Sequence, residues 1–241
     1  MISWKRTSPG SDLQDEQVHL WRVNLNVPDP KFGSLRGTLS EEEILRSERF
    51  RFPELRRRFA VGRGALRLIL AGYLGVEPAR VKFGYTAHGK PFLLNSPAGI
   101  QFNLSHSHGF MVAAICLNSP IGVDIEKKDP RFRTMEIAER FFCDGEKQQI
   151  AGLDAGARLE AFFQIWTAKE AVLKATARGL ALELTKVEVG LSPLRVVALD
   201  EGENIHSENW RLVALQPAEE YCGTLAVAAP PSRVEWRELA L

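Results

Sequence analysis

The segment Ile121-Gly122-Val123-Asp124-Ile125-Glu126 constrains this chain most, because apolar and acidic residues alternate in it with the period of a β-strand. A sheet that buries Val123 and Ile125 turns Asp124 and Glu126 together to its other face, roughly 6.5 Å apart along the strand. Two carboxylates so placed can share one hard cation. A second segment, Trp166-Thr167-Ala168-Lys169-Glu170-Ala171-Val172-Leu173-Lys174, is dominated by good helix formers. Trp166, Lys169, Glu170, Leu173 and Lys174 fall within one broad face at helical spacing, so the helix delivers a third carboxylate and two ammonium groups. The all-oxygen set of Asp124, Glu126 and Glu170 suits Mg²⁺ (or Mn²⁺) better than Zn²⁺, and Mg²⁺ held this way takes substrate phosphate oxygens as further ligands. Lys169 and Lys174 would face those phosphates. Taken singly, each segment has a plainer explanation. Asp124 and Glu126 suit the solvated side of a half-buried strand, and Glu170 with Lys174 is an ordinary surface pair contributing ~0.2–0.5 kcal/mol.

The 241 residues suffice for one large domain or two small ones, and 45% hydrophobic with 25% charged residues is an ordinary soluble composition. With 31 basic against 30 acidic residues, no global field points to nucleic acid or to an anionic membrane. Met1 to Gln17 is polar and lacks an apolar core of signal-peptide length, and the apolar-leaning run Ala65 to Leu74 is too short to span a bilayer. The expectation is a cytoplasmic protein. Cys116, Cys143 and Cys222 are odd in number and widely spaced, which argues against a disulfide framework or a zinc knuckle.

In chain order, Val18 to Val27 alternates as a strand that Pro28-Asp29-Pro30 ends, and Ser40 with Glu43 makes a capping box at a helix start. Glu54 to Tyr73 reads as a second helix, stopping at Gly72 and Gly75. Short strands follow at Val81 to Tyr85 and after Gly89-Lys90-Pro91. Phe110 to Leu117 reads as a buried strand that turns at Asn118-Ser119-Pro120 to pair antiparallel with 121–126. Met135 to Phe142 gives a short helix, 143–158 looks irregular, and Leu159 to Thr176 is the long helix, with Gly179 as its C-cap. Thr185 to Val189, Leu194 to Leu199, Trp210 to Leu215 and Tyr221 to Ala229 read as strands. Within Phe102-Asn103-Leu104-Ser105-His106-Ser107, the hydroxyls and the imidazole could meet a phosphate, although a lone histidine at a strand end is more often structural.

The two defining segments occur in order and at a matching separation, with no substitution at the polar positions. On them the chain resembles the surfactin-synthetase-activating type of 4′-phosphopantetheinyl transferase, whose pattern is Gly-φ-Asp-φ-Glu followed by Trp-x-x-Lys-Glu-x-x-x-Lys. The likeness covers roughly residues 18–190 and includes Gly89-Lys90-Pro91, the Ser105-His106-Ser107 element and Arg140-Phe141-Phe142. It implies an α+β fold of two similar halves in a pseudo-twofold arrangement, each with an antiparallel sheet packed by a long helix. The active site lies in the cleft between the halves: residues 1–120 on the coenzyme A nucleotide side, residues 121–241 carrying metal strand, catalytic helix and carrier dock.

It further implies a monomeric, Mg²⁺-dependent transferase that moves 4′-phosphopantetheine from coenzyme A to a serine of an apo acyl or peptidyl carrier protein, in polyketide, nonribosomal peptide or fatty acid biosynthesis. Adenosine 3′,5′-bisphosphate is the other product. Asp124, Glu126 and Glu170 are then the metal set, and Glu170, Lys169 and Lys174 the catalytic groups, the base being Glu170 or a water on the cation. Arg46, Arg58, Lys90, Pro91, Ser105, His106, Asp124, Lys169 and Lys174 contact coenzyme A. Glu43 departs from the pattern, standing where some members carry a lysine. The apolar residues Met135, Ile137, Phe141 and Phe142, with Lys127, Lys128, Arg131 and Arg133, are expected to border the carrier's entry.

Three other readings compete. A hydrolase built on Ser105, His106 and Asp124 lacks the Gly-x-Ser-x-Gly elbow, and adjacent strand residues point apart. A non-catalytic protein that binds coenzyme A and a carrier would share the pocket without needing the acid trio. Zinc on His106 and His108 lacks further ligands nearby in sequence.

Overall fold

The computed structural model describes residues 3–10, 12–94, 96, 99–176, 184–199, 209–228 and 231–241. Strand β1 (Lys5–Thr7) precedes β2 (Gln17–Asn24), whose alternation buries opposite sets of side chains on its two faces. Helix α1 (Asp29–Arg36) starts on the Pro28-Asp29-Pro30 run, where the sequence suggested only a strand end; proline is tolerated in a first helical turn because its missing N–H has no partner there anyway. The capping box at Ser40 and Glu43 opens α2 (Glu41–Glu48) as expected, and α3 (Pro53–Leu74) follows. Gly75, with φ +64°, ends α3 in the left-handed conformation that glycine adopts without Cβ strain.

Strands β3 (Phe83–Tyr85) and β4 (Pro91–Leu93) make a small hairpin before β5 (Ile100–Ser107), β6 (Phe110–Leu117) and β7 (Ile121–Lys127). Helices α4 (Thr134–Phe141), α5 (Asp144–Ala151) and α6 (Ala155–Ala175) come next. α5 occupies a stretch that looked irregular, because its Glu146 satisfies the Cys143 amide at 2.8 Å and so closes the helix start. The expected C-cap Gly179 lies outside the described residues. The chain ends with β8 (Val187–Leu191), β9 (Leu194–Leu199), β10 (Arg211–Leu215), β11 (Tyr221–Val227) and β12 (Arg233–Leu239).

Two sheets lie face to face between two long helices. One has the order β1-β12-β2-β6-β5, antiparallel apart from the two parallel pairings made by β12; the other has the order β10-β11-β7. One face of the larger sheet packs on α3 through Trp21, Val23, Met111 and Ile115. Its opposite face meets the smaller sheet, Leu20, Val112 and Ala114 against Ile121, Val123, Ile125 and Leu225. The far side of the smaller sheet packs under α6. The expected pairing of β6 with β7 is therefore corrected: both edges of β6 are taken, by β2 and β5, and β7 pairs instead with β11. The last strand, β12, returns to the larger sheet. Among the described residues no helix is long and apolar enough to cross a membrane.

Candidate active site

The alternation in β7 sends Val123 and Ile125 into the contact between the sheets and Asp124 toward α6. α6 can approach because residue 122 is glycine: a Cβ there would stand 2.0 Å from the Ala171 carbonyl oxygen. From that helix Lys174 reaches back, its ammonium 2.7 Å from Asp124 Oδ1 and 3.3 Å from the Val123 carbonyl oxygen. Ser105 on β5 donates to the same carboxylate oxygen at 2.8 Å and lies 3.2 Å from Lys174 Nζ. Two residues on, Ser107 donates to Glu126 Oε2 at 2.8 Å. Burial first, and then the Asp124 charge, push the carboxyls of both Glu126 and Glu170 above the ordinary range, as expected for acids sharing one partly desolvated space.

Asp124 Oδ2 is buried without a hydrogen-bond partner. An orphaned carboxylate oxygen beside two further carboxylates, with Lys174 as the ammonium among them, is a donor set that fits a hard divalent cation. Among the described residues the carboxylates of Asp124, Glu126 and Glu170 are not all drawn as close as the acid and histidine ligand atoms of Asp12, His19 and Glu235, which lie within 4.8 Å of one another. There the Arg237 guanidinium already fills the position of a cation, 2.6 Å from Asp12 Oδ2, 2.6 Å from Glu235 Oε2 and 3.1 Å from His19 Nε2.

A cavity of about 360 Å³ adjoins Lys174 and is lined by Arg46, Arg58, Lys90, Pro91 and His106. Aromatic rings share the wall: Arg46 lies 5.6 Å from the Phe59 ring and 6.0 Å from that of Tyr85. Arg63, which none of the sequence motifs singles out, also lines it and stacks 4.8 Å from the Phe83 ring, its pKa lowered chiefly by burial. The signal for it was faint: Arg63 follows Phe59 by one helical turn on α3. Glu43 completes this side. It sits buried under α3, 2.7 Å from Arg67 Nε and 3.5 Å from Arg63 Nε, so the missing lysine is replaced by an internal counter-ion.

Lys90 lines the cavity and also ties the two parts of the chain together. Its ammonium donates to the Lys174 carbonyl at 2.6 Å and to that of Ile121 at 3.2 Å, and burial pulls its pKa down to about 8.

Lys169 is not among the residues brought together, which corrects its expected place beside the phosphates. Its side chain is fully buried on the opposite flank of α6, 2.5 Å from Glu146 Oε2 and bonded to the Val187 carbonyl. Ser105 points to Asp124 while His106 is exposed on the other face of β5, so the serine–histidine pair of a hydrolase does not form. Near the expected dock, Phe142 is 2% exposed and Met135 and Ile137 are half-buried against the core. The basic residues there already pair with the chain's own acids: Lys127 with Glu220, Lys128 with Glu160, Arg131 with Asp129, Arg133 with Glu136.

Residues 120–226 match the 4′-phosphopantetheinyl transferase superfamily, and residues 28–118 match the family described as 4′-phosphopantetheinyl transferase, N-terminal. The chain is 40% identical to the 4′-phosphopantetheinyl transferase HetI of Nostoc sp. over 94% of each chain. It belongs to the 4′-phosphopantetheinyl transferase superfamily. The putative 4′-phosphopantetheinyl transferase slr0495 of Synechocystis sp. is 35% identical over 76% of this chain and 74% of its own. The 4′-phosphopantetheinyl transferase Sfp of Bacillus subtilis is 30% identical over 64% and 66%. The membership makes the chain an enzyme of this transferase class, and the α+β architecture with a helix-backed sheet on either side agrees with the resemblance read from its motifs.

Proposed function

We propose that this transferase moves 4′-phosphopantetheine from coenzyme A to a serine hydroxyl of an apo acyl or peptidyl carrier protein and releases adenosine 3′,5′-bisphosphate. The observation that carries the reading is the junction of Lys174, Asp124 and Ser105, with its orphaned carboxylate oxygen, at the end of a cavity walled by Arg46, Arg58, Lys90, Pro91 and His106. Asp124, Glu126 and Glu170 would hold Mg²⁺, or Mn²⁺ in its place. When bound, the cation supplies charge neutralisation on the pyrophosphate.

The cationic side chains of the cavity bind the nucleotide phosphates, and the aromatic rings beside Arg46 exclude water from them. Lys174, held at Asp124, offsets charge on the leaving phosphate as the β-phosphate is attacked. Glu170 takes the proton of the incoming serine. Lys169 serves α6 rather than the substrate. We place the nucleotide side in residues 1–120 and the metal strand, catalytic helix and carrier dock in 121–241, with β12 lent back to the first sheet, and we infer a cytoplasmic monomer.

The test is incubation with an apo carrier protein, coenzyme A and Mg²⁺, read by mass spectrometry. The carrier serine should gain the phosphopantetheine increment; coenzyme A binding without any increment would favour a carrier-interaction protein that does no chemistry.

A further inference from the structure

Ser107 closes β5 and is 7% exposed. Its hydroxyl has one hydrogen and two lone pairs, and the surroundings claim all three. The Lys127 amide donates to it at 3.1 Å, Glu126 Oε2 lies at 2.8 Å and can only accept, and His108 Nδ1 stands 3.2 Å away. With the hydrogen committed to Glu126 and one lone pair to Lys127, the His108 contact is satisfied when Nδ1 carries the imidazole proton. Nothing of the hydroxyl is left for a phosphate.

The backbone around Ser107 is also held. His108-Gly109 forms a two-residue hairpin turn, with His108 at φ +49°, between partners Ser107 and Phe110. The Gly109 amide donates to the Tyr221 hydroxyl at 3.2 Å, and the Gly109 carbonyl accepts from Leu25 at 2.8 Å.

Ser105 and Ser107, two apart on β5, thus meet Asp124 and Glu126, two apart on β7. The two pairs differ in one respect: Lys174 also bonds Asp124, whereas Ser107 is the hydrogen-bond donor to Glu126 among the described residues. That bond engages Oε2, and among the described residues no hydrogen bond engages Oε1. We infer that Ser107 is a positioning residue that orients the Glu126 carboxylate for the divalent cation and takes no part in holding phosphate. The inference rests on reading Asp124, Glu126 and Glu170 as the cation site.

The experiment titrates the purified full chain, free of coenzyme A, with Mn²⁺, following free Mn²⁺ by electron paramagnetic resonance. Removing an outer partner of a metal ligand typically weakens metal binding about 10–100-fold, so Ser107→Ala should raise the Mn²⁺ Kd at least about tenfold. Ser107→Thr, which keeps the hydroxyl, should stay near wild type. Ser107→Cys, a similar volume with a weak donor, should also weaken binding and provides the measurement if the alanine variant does not fold. An unchanged Kd in the alanine and cysteine variants, beside a weakened one in Glu126→Ala, overturns the inference and leaves the cation site standing. If Glu126→Ala also binds Mn²⁺ as wild type does, the cation site itself falls and the inference with it. Coenzyme A affinity measured in chelator should not move in Ser107→Ala; a loss there would make Ser107 a phosphate ligand and refute its positioning role.

Discussion

Lys169 and Lys174 leave α6 roughly 140° apart, the angle that five residues subtend on an α-helix. One ends on Glu146 and the other on Asp124. Lys169 and Glu146 are both fully buried as an ion pair, a geometry in which removing one partner strands the other's charge in the interior. Lys169→Met should therefore lower unfolding free energy by about 3–5 kcal/mol in denaturant titration. The double variant Lys169→Met/Glu146→Gln should recover part of that loss, and turnover per folded molecule should change little. Lys174→Met should do the reverse, keeping most of the stability while lowering kcat at least about 100-fold, the scale of losing one charge-stabilising group. If both variants lost turnover equally at equal folded fraction, the division of labour would be wrong.

Lys90 should set a pH dependence for coenzyme A capture. Its pKa of about 8 means that the ammonium becomes a neutral amine as pH rises through that value, removing one positive charge from the cavity wall. Because kcat/KM reports groups of the free enzyme, kcat/KM for coenzyme A should fall between pH 7 and 9. Lys90→Arg keeps its charge over this range and should flatten the profile, whatever its absolute rate. The same fall in both proteins would assign the titration to another group.

His19 should govern acid stability. It is fully buried between the Tyr73 hydroxyl, 2.7 Å from Nδ1, and Arg237, and burial followed by the Arg237 charge holds its pKa down to about 4. In the unfolded chain the imidazole titrates near 6.5, so below that pH the unfolded state binds the proton that the folded state refuses. Stability from neutral His19 is thus complete above about pH 6.5 and is lost progressively down to about 4, by a total on the order of 3 kcal/mol. Urea unfolding at pH 7, 5.5 and 4.5 measures the slope, and His19→Gln should reduce it. Parallel pH profiles for wild type and variant would exclude His19 as the source.

Arg46 and His106 line the cavity from opposite elements, α2 and β5, and either can meet the 3′-phosphate of coenzyme A. Dephospho-coenzyme A lacks that group. Replacing a residue that contacts it should raise KM for coenzyme A several-fold while leaving KM for the dephospho substrate almost unmoved, so discrimination between the two shrinks. Variants at Arg46 and His106 that keep the full wild-type discrimination would remove both from this role.

What the sequence alone determined lies where the chemistry is local. Alternation in 121–126 is a property of six neighbouring residues, and it correctly turned Asp124 away from Val123 and Ile125; the capping box at Ser40 and Glu43 spans four residues and formed as its spacing requires. Family resemblance could be read for the same reason, because its motifs are short and contiguous. Only the tertiary structure decided the fate of groups whose partners are distant in sequence. Lys169 was drawn from the site by Glu146, on a helix not visible as one, and Glu43 became the counter-ion of Arg63 and Arg67, some twenty residues away. β7 paired with β11 because β6 had no free edge, and β12 closed the first sheet by parallel pairing with β1 and β2 from the far end of the chain. The physical reason is common to all of these. A local pattern specifies which face a side chain occupies, whereas the partner that neutralises a buried charge or completes a strand is chosen by the packing of elements that meet only once the chain has folded.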